Sequence, residues 1–285
     1  GTQRVGVVPG TTVQGVFGLW YGKGPGVDRS LDALKHGNAA GSSRNGGVLL
    51  VAGDDHACVS STLPHQSGPV FASAMIPTLN PSSVAEMIEY GLMGFALSRY
   101  SGCWVGMTGA TQVVETTELI ARSEMTRLPT PADAFGDLWI RVTDPPLDQE
   151  RRLHGAKMQA VADFARQVVF DRIVVDTPSP RLVIVTTGKA YGDVREALRL
   201  IDLSDADFAD LGLRVFKVGL TWPLQPEPVS AAVRGAQEVC VIEEKRGFVE
   251  DQLVRLLYNA PASDRPRVVG KTVEAGRPLF SSQGE

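Results

Sequence analysis

The sequence predicts an α/β protein built as two parallel-sheet units. Three observations carry this. An unbroken apolar run, GGVLLVAGDD at 46–55, has the length and the flanking turn residues of a buried parallel strand. From Leu182 the chain alternates LVIVTTG, DVREALRLI, LRVFKVG, PVSAAVRGA, EVCVIEEK and FVEDQLVRLLY, a βαβαβα order that calls for right-handed crossovers. Between the halves, RLPTPADAFGDLWIRVTDPPLDQE is rich in proline and acid and reads as a connector.

The elements follow in order. The strand in GGVLLVAGDD is expected to end near Ala52. The stretch from Pro69 to Gly109 reads as strand, helix, strand. Ser83 and Glu86 have capping-box spacing, so the helix is expected to start there. Val84, Met87, Ile88, Leu92 and Phe95 then fall on one face, which is expected to be the buried one. RRLHGAKMQAVADFARQVVFDR reads as one amphipathic helix after the connector. The expected division is 1–115 for the first unit, 116–179 for the connector with its helix, 180–262 for the second unit and 263–285 for a tail. Each unit should have its own sheet, with the strands near 48–52 and 182–187 at the centres.

Composition narrows the function. A net charge of −4 over 285 residues offers no basic stripe, which argues against nucleic acid as a partner. No run of about 18 apolar residues exists to span a membrane, and no secretory signal opens the chain. Cys58, Cys103 and Cys240 are few, odd in number and far apart, as expected of reduced thiols in a cytoplasmic protein. The chain begins at Gly1 without methionine, so a processed product or a piece of something longer is expected.

In open α/β sheets, ligands bind beyond the carboxyl ends of the strands. Asp54, Asp55 and His56 stand just past such an end. The glycine-rich stretch before them, GLWYGKGPGVDRS, would let backbone approach a ligand closely. It matches neither G-x-x-x-x-G-K-[ST] nor G-x-G-x-x-G, and a plain turn is the competing reading. His56, Cys58 and His65 lack a fourth partner at zinc-site spacing, so no metal is expected. Asp54, His56 and Ser60 are too close along the chain for a hydrolase triad, and no G-x-S-x-G elbow is present.

Several long motifs carry a family resemblance. FGLWYGKGPGVDRSLDALKHGNAAGSSRNGGVLLVAGDDHACVSSTLPHQS, IPTLNPSSVAEMIEYGLMGFALSR, DPPLDQERRLHGAKMQAVADFAR, RLVIVTTGKAYGDVREAL, KVGLTWPLQPEPV, VIEEKRGFVEDQL and RPRVVGK cover nearly the whole chain. In these the sequence resembles the long, fused bacterial indolepyruvate ferredoxin oxidoreductases, which are thiamine-diphosphate-dependent 2-oxoacid:ferredoxin oxidoreductases. The resemblance implies a thiamine-pyrimidine-binding-type first domain, incomplete at its N-terminus, and a transketolase C-terminal-like second domain. It also implies what lies elsewhere. The family's G-D-G…N motif for diphosphate and magnesium is not matched by GDD at Gly53, GDL at Gly136 or GDV at Gly192. The 4Fe-4S cysteines are absent, and the glutamate that activates the cofactor would fall before Gly1. An interior segment is expected, sharing thiamine diphosphate with other domains and inactive alone.

The implied substrate is an aryl 2-oxo acid such as indolepyruvate. The implied partners are the remaining domains or subunits, ferredoxin, coenzyme A and further copies of the chain. Lys23, Arg29 and Arg44 are then candidates to meet the substrate carboxylate, against a plain role as solvated side chains. Tyr21 could stack on an aryl group and Gly24 could admit it closely, while Trp20 reads more as core. Asp55 and His56 are the catalytic candidates, as a proton relay, against a helix cap with solvent-facing acids. Ser60, Ser61 and Gln66 could donate hydrogen bonds, against turn capping. Another thiamine enzyme, of transketolase or decarboxylase type, or a non-catalytic assembly or ligand-binding subunit remains the alternative.

Overall fold

The computed structural model describes residues 3–5, 8–120, 128–130, 135–141 and 143–283. The first half contains β1 (Phe17–Lys23), α1 (Gly24–Ala40), β2 (Gly47–Asp54), α2 (Gly68–Ser73), β3 (Thr78–Leu79), α3 (Val84–Ser101), β4 (Val105–Ala110) and α4 (Thr111–Val114). After the connector come α5 (Pro146–Arg152), a π-helical turn (Leu153–Lys157) and α6 (Met158–Gln167). The rest contains β5 (Arg172–Val175), β6 (Leu182–Thr187), α7 (Gly188–Leu200), α8 (Asp205–Leu211), β7 (Leu213–Val218), β8 (Leu220–Trp222), α9 (Pro226–Val233), β9 (Glu238–Ile242), α10 (Val249–Leu257) and β10 (Arg267–Val269). Part of the connector read from the sequence, at 121–127, 131–134 and 142, lies outside the described residues.

Two five-stranded sheets form, in the orders β1-β2-β4-β3-β8 and β10-β9-β6-β7-β5. The pairings β1–β2, β2–β4 and β3–β4 are parallel in the first sheet, as are β10–β9, β9–β6 and β6–β7 in the second. Each sheet ends in one antiparallel strand, β8 against β3 and β5 against β7. The α/β class is as expected, and β6 is the central strand of its sheet. In the first sheet the centre is β4 and not the 48–52 strand.

The sheets are also not independent, because β8 comes from the second half of the chain and closes the first sheet. The handover is fixed at Asp171, whose carboxylate accepts the backbone N–H groups of Gly219 and Leu220 at 2.8 and 3.0 Å. Asn80 N–H then donates to Gly219 O at 2.9 Å, and Thr221 Oγ1 donates to Thr78 O at 3.1 Å.

Four local expectations change. Ahead of α3 in the Pro69 stretch only Thr78–Leu79 is a strand, because Gly68–Ser73 forms a helix opened by Pro69 in its first turn, while β4 supplies the expected strand after α3. The helix after the connector begins at Pro146, passes through the π turn and stops at Gln167. Val168 is extended, and Arg172 already lies in β5. The expected tail supplies β10, an edge strand.

The fourth change is the buried face of α3. Tyr90, Met93, Gly94, Leu97 and Ser98 are buried, whereas Ile88 is 51% and Leu92 42% exposed. The glycine side wins because it lets the helix approach the sheet closely. A Cβ on Gly94 would come within 2.8 Å of Leu49.

The core follows this layering. Leu49, Leu79, Leu97 and Val105 meet Phe164 and Phe170 across α3 and α6, while Val27, Leu50, Phe71 and Ile76 fill the other face of the first sheet. In the second sheet Val183, Val185, Val239 and Val241 pack under α9 and α10, and Val194, Leu198 and Phe208 pack on the opposite side.

A buried ionic cluster joins the halves. Ser83 Oγ caps α3 by accepting Glu86 N–H at 3.2 Å. The Glu86 carboxylate does not return to Ser83 as a capping box would. It accepts from Ser82 N–H and Oγ, each at 2.8 Å, and pairs with Lys217 of β7, which is fully buried, and with Arg172 at 2.8 Å. Lys217 Nζ also donates to Ser82 Oγ at 2.7 Å and lies 4.5 Å from the Tyr191 ring centre.

Candidate functional site

The carboxyl ends of the two sheets face one another. Asp54 ends β2 and Ala110 ends β4. Across from them, Thr187 ends β6, and Glu243 and Glu244 follow β9. These residues, with His56, Asn80 and Phe248, line a small, partly open cavity of about 40 Å³. Contact is so close that a Cβ on Gly188 would come within 2.4 Å of the Asn80 side chain.

His56 is largely buried in this junction. Its Nδ1 lies 3.3 Å from Glu244 Oε2 and its Nε2 4.0 Å from Asp54 Oδ2. Glu244 is also 3.6 Å from Lys189 Nζ, which pairs with Asp193 at 2.8 Å. His56 beside it, helped by Lys189, holds the Glu244 carboxyl below its usual value. Asp54 accepts Ser67 N–H at 2.9 Å and Ser67 Oγ at 2.6 Å, yet burial pushes its carboxyl upward. Glu243 accepts the N–H groups of Phe248, Val249 and Glu250 at the start of α10, each at 2.9 Å, and burial pushes it up to about 7.

A second cluster lies at the end of β1, on the outer side of the first sheet. Asp55 turns into its own loop, accepting Val59 N–H at 2.9 Å and Ser60 N–H at 2.8 Å. The Ser60 and Val59 N–H groups hold its carboxyl far below the usual range, so it stays an anion at neutral pH. In this position Asp55 clamps its own loop through these two N–H groups. Lys23 Nζ reaches over the loop to Ser60 Oγ at 2.6 Å and Asp55 Oδ2 at 3.5 Å, and 44% of its side chain stays exposed.

Gly24 opens α1 directly under His65, where a Cβ would come within 2.1 Å of the ring. His65 is pinned there by Asp28 at 3.1 Å and Leu63 O at 2.9 Å. Gly24 is therefore required by close packing of protein on protein.

The remaining expected residues separate. Tyr21, on edge strand β1, is 79% exposed beside Lys23. Arg29 is exposed on the second turn of α1. Arg44 stands before β2 and stacks over Trp139 at 4.7 Å, roughly 25 Å of strand away from the site. Nearness in sequence misled here because a strand intervenes. Gln66 exchanges hydrogen bonds with Arg246, at 3.1 Å to its carbonyl and 3.2 Å from its Nε, so it ties the halves together. Ser61 O accepts from Cys58 Sγ at 2.6 Å within the loop, where Cys58 has a φ of +59°. Asp54 was noted at the strand end beside the two catalytic candidates, whereas Glu244, Lys189 and His65 were missed as members. The strand-end rule that found Asp55 and His56 applies equally to the EEK following β9.

The residues present do not fit a whole thiamine diphosphate. The cavity between the strand ends is an order of magnitude smaller than a typical cofactor pocket of about 300–1,000 Å³. Among the described residues, no group of three or more His, Cys, Asp or Glu is arranged to hold a metal ion. The cations and the aromatic ring that could meet a ligand lie on the open β1 side.

The fold is shared with a solved oxidoreductase structure. A 2-oxoglutarate:ferredoxin oxidoreductase from Magnetococcus marinus superimposes with a TM-score of 0.58 at 15% identity, over 94% of this chain and 51% of that one. Residues 171–284 match the indolepyruvate ferredoxin oxidoreductase middle domain, as the motif resemblance led one to expect. The chain is also similar to indolepyruvate oxidoreductase subunit IorA from Methanothermobacter marburgensis, at 23% identity over 87% of this chain and 39% of the relative. The same subunit from Pyrococcus abyssi is 24% identical over 73% of this chain and 32% of the relative. The chain thus spans two-fifths or less of the length of these relatives.

Proposed function

We propose that this chain is an interior segment of a thiamine-diphosphate-dependent 2-oxoacid:ferredoxin oxidoreductase that oxidatively decarboxylates indolepyruvate or a related aryl 2-oxo acid, with electrons passing to ferredoxin. In the longer protein it forms one wall of the active site. The observation that carries this reading is Lys23, a half-exposed cation at a strand end, held by Ser60 and by a permanently ionised Asp55. A carboxylate approaching the open side meets a preoriented ammonium group there. Tyr21 beside it offers an aromatic surface for an aryl substituent. His56 stands between Asp54 and Glu244 at the junction behind this wall. The cofactor supplies the nucleophile and the electron sink. Its diphosphate, its metal and the iron–sulfur clusters belong to parts of the enzyme beyond this chain.

The test uses the complete enzyme. Lys23→Ala should lower kcat/KM for indolepyruvate roughly ten- to a hundredfold, the loss of about 1.5–3 kcal/mol expected for a charge-assisted contact. Arg44→Ala, at the far end of the strand, should leave the kinetics unchanged. The 285-residue chain alone, given indolepyruvate and thiamine diphosphate, should not reduce a viologen dye. Turnover by the isolated chain, or wild-type kinetics in Lys23→Ala, would show the reading to be wrong.

A further inference from the structure

The 56–66 loop lies against the carboxyl end of β1, held at its base yet apolar at its surface. Asp55 accepts the N–H groups of Val59 and Ser60. Cys58 takes a left-handed φ of +59° while its Sγ donates to Ser61 O, and Leu63 O meets His65 Nδ1 at 2.9 Å. Lys245 Nζ, from the other half of the chain, adds a bond to His56 O at 3.3 Å. On a loop so firmly tied, Val59 is nonetheless 75% and Leu63 67% exposed.

Single exposed apolar side chains are ordinary. Here they gather beside one cation. Lys23 Nζ donates to Ser60 Oγ at 2.6 Å, and Ser60 directly follows Val59, so their Cα atoms are about 3.8 Å apart. His65, bonded to Leu63 O, covers Gly24, the residue after Lys23, which holds Leu63 on the same side of the strand end. Tyr21 precedes Lys23 by two residues on the same face of β1, roughly 7 Å along the strand. Lys23 is thus flanked by bare apolar side chains from both the loop and the strand.

That combination defines a ligand chemistry. A carboxylate meets the ammonium group, and an apolar body attached to it meets the side chains around. A small inorganic anion would gain nothing from Val59 and Leu63, and an uncharged apolar molecule would gain nothing from Lys23. The tied loop adds to the argument, because a segment already fixed in place loses little freedom when a ligand settles on it.

We propose that Val59 and Leu63 are specificity-determining residues. With Tyr21 they receive the aryl group of the 2-oxo acid whose carboxylate Lys23 holds, and so select aryl over short alkyl substrates. This rests on the reading of Lys23 as the carboxylate contact.

The complete enzyme, with indolepyruvate and pyruvate in competition, tests both levels. The two acids share the carboxylate and the keto group and differ in the aryl group. Lys23→Ala should lower kcat/KM for both roughly ten- to a hundredfold and leave their ratio close to that of the parent. Val59→Ser and Leu63→Ser should each lower the ratio of kcat/KM for indolepyruvate to that for pyruvate by about fivefold or more, and the double variant by about tenfold or more. Both side chains are exposed, so the melting profile and far-UV circular dichroism should stay those of the parent. Leu147→Ser, similarly exposed on α5, should leave the ratio unchanged. A ratio indifferent to both loop substitutions, with Lys23→Ala still costing both acids, overturns the specificity role alone. Equal losses for the two acids in Leu63→Ser overturn it as well, since the loop would then only hold Lys23 in place. Parent kinetics for both acids in Lys23→Ala removes the carboxylate contact and this inference with it.

Discussion

Glu86→Ala should be among the most damaging single changes in this protein, because it strands a buried cation. Lys217 has no exposed side-chain surface, and Glu86 is its one carboxylate partner within ion-pair distance among the described residues. What would remain are the Ser82 hydroxyl at 2.7 Å and the Tyr191 ring at 4.5 Å. Breaking a buried pair from one side costs about 3–5 kcal/mol. The loss has a ceiling, because the lysine can shed its proton. From an ordinary value near 10.4, that costs about 4.5 kcal/mol at pH 7. A destabilisation of about 3–4 kcal/mol is therefore expected. Arg172, 39% exposed, returns to water and adds little.

Urea denaturation, followed by circular dichroism at constant m, measures this. Two signatures separate a stranded charge from a mere cavity. Glu86→Ala/Lys217→Met should recover at least half of the loss, since an apolar replacement removes the buried cation. The stability of Glu86→Ala should also rise from pH 7 to 10, because the unfolded lysine then holds a proton that the folded one has lost. A cost below 1 kcal/mol, or no recovery in the double variant, would refute the reasoning.

Glu243 gives a pH prediction of opposite sign. Its folded value, about 7, lies above the ordinary 4.5, so its contribution is full below pH 4.5 and is lost as pH rises through 7. Glu243→Gln should remove a decline on the order of 3 kcal/mol across that window in urea titrations, leaving the smaller decline from Asp171, pushed up to about 6. Gly24→Ala drives a methyl group into the His65 ring and should cost about 1–3 kcal/mol. It should also open the 56–66 loop to limited proteolysis, and His65→Ala in the same chain should relieve most of the loss. If the Gly24→Ala chain melts and digests like the parent, the close packing described above is not limiting.

Much of the architecture was legible because it rests on local pattern. The apolar run of β2 and the alternation after Leu182 are written in consecutive residues, and the run's end placed Asp54 to His56 where β2 stops. What escaped depends on partners distant in sequence. Glu86 reads as a capping residue, and nothing near it announces Lys217, 131 positions on. Lys217 itself reads as one polar residue in a strand. The face of α3 was misjudged because large apolar residues dominate a periodicity reading, whereas the helix docks by its glycine. Arg44 looked near the site because it is near in sequence. Glu244 escaped because a charged strand end followed by a helix is ordinarily solvated, and only the facing sheet makes it a partner of His56.

The placement of β8 bears on how such a protein could be inherited. Residues 171–284 are recognisable by themselves as a family domain, yet three of them, Leu220–Trp222, complete the sheet of the preceding segment. A recombination event that exchanged the second half for a foreign one would strip the first sheet of its closing strand and leave β3 with a bare edge. A gene split between the halves would yield two polypeptides, each needing the other to satisfy its backbone. The interdigitated strand thus acts as a genetic staple: the halves can diverge in sequence, but they are constrained to travel and evolve as a pair.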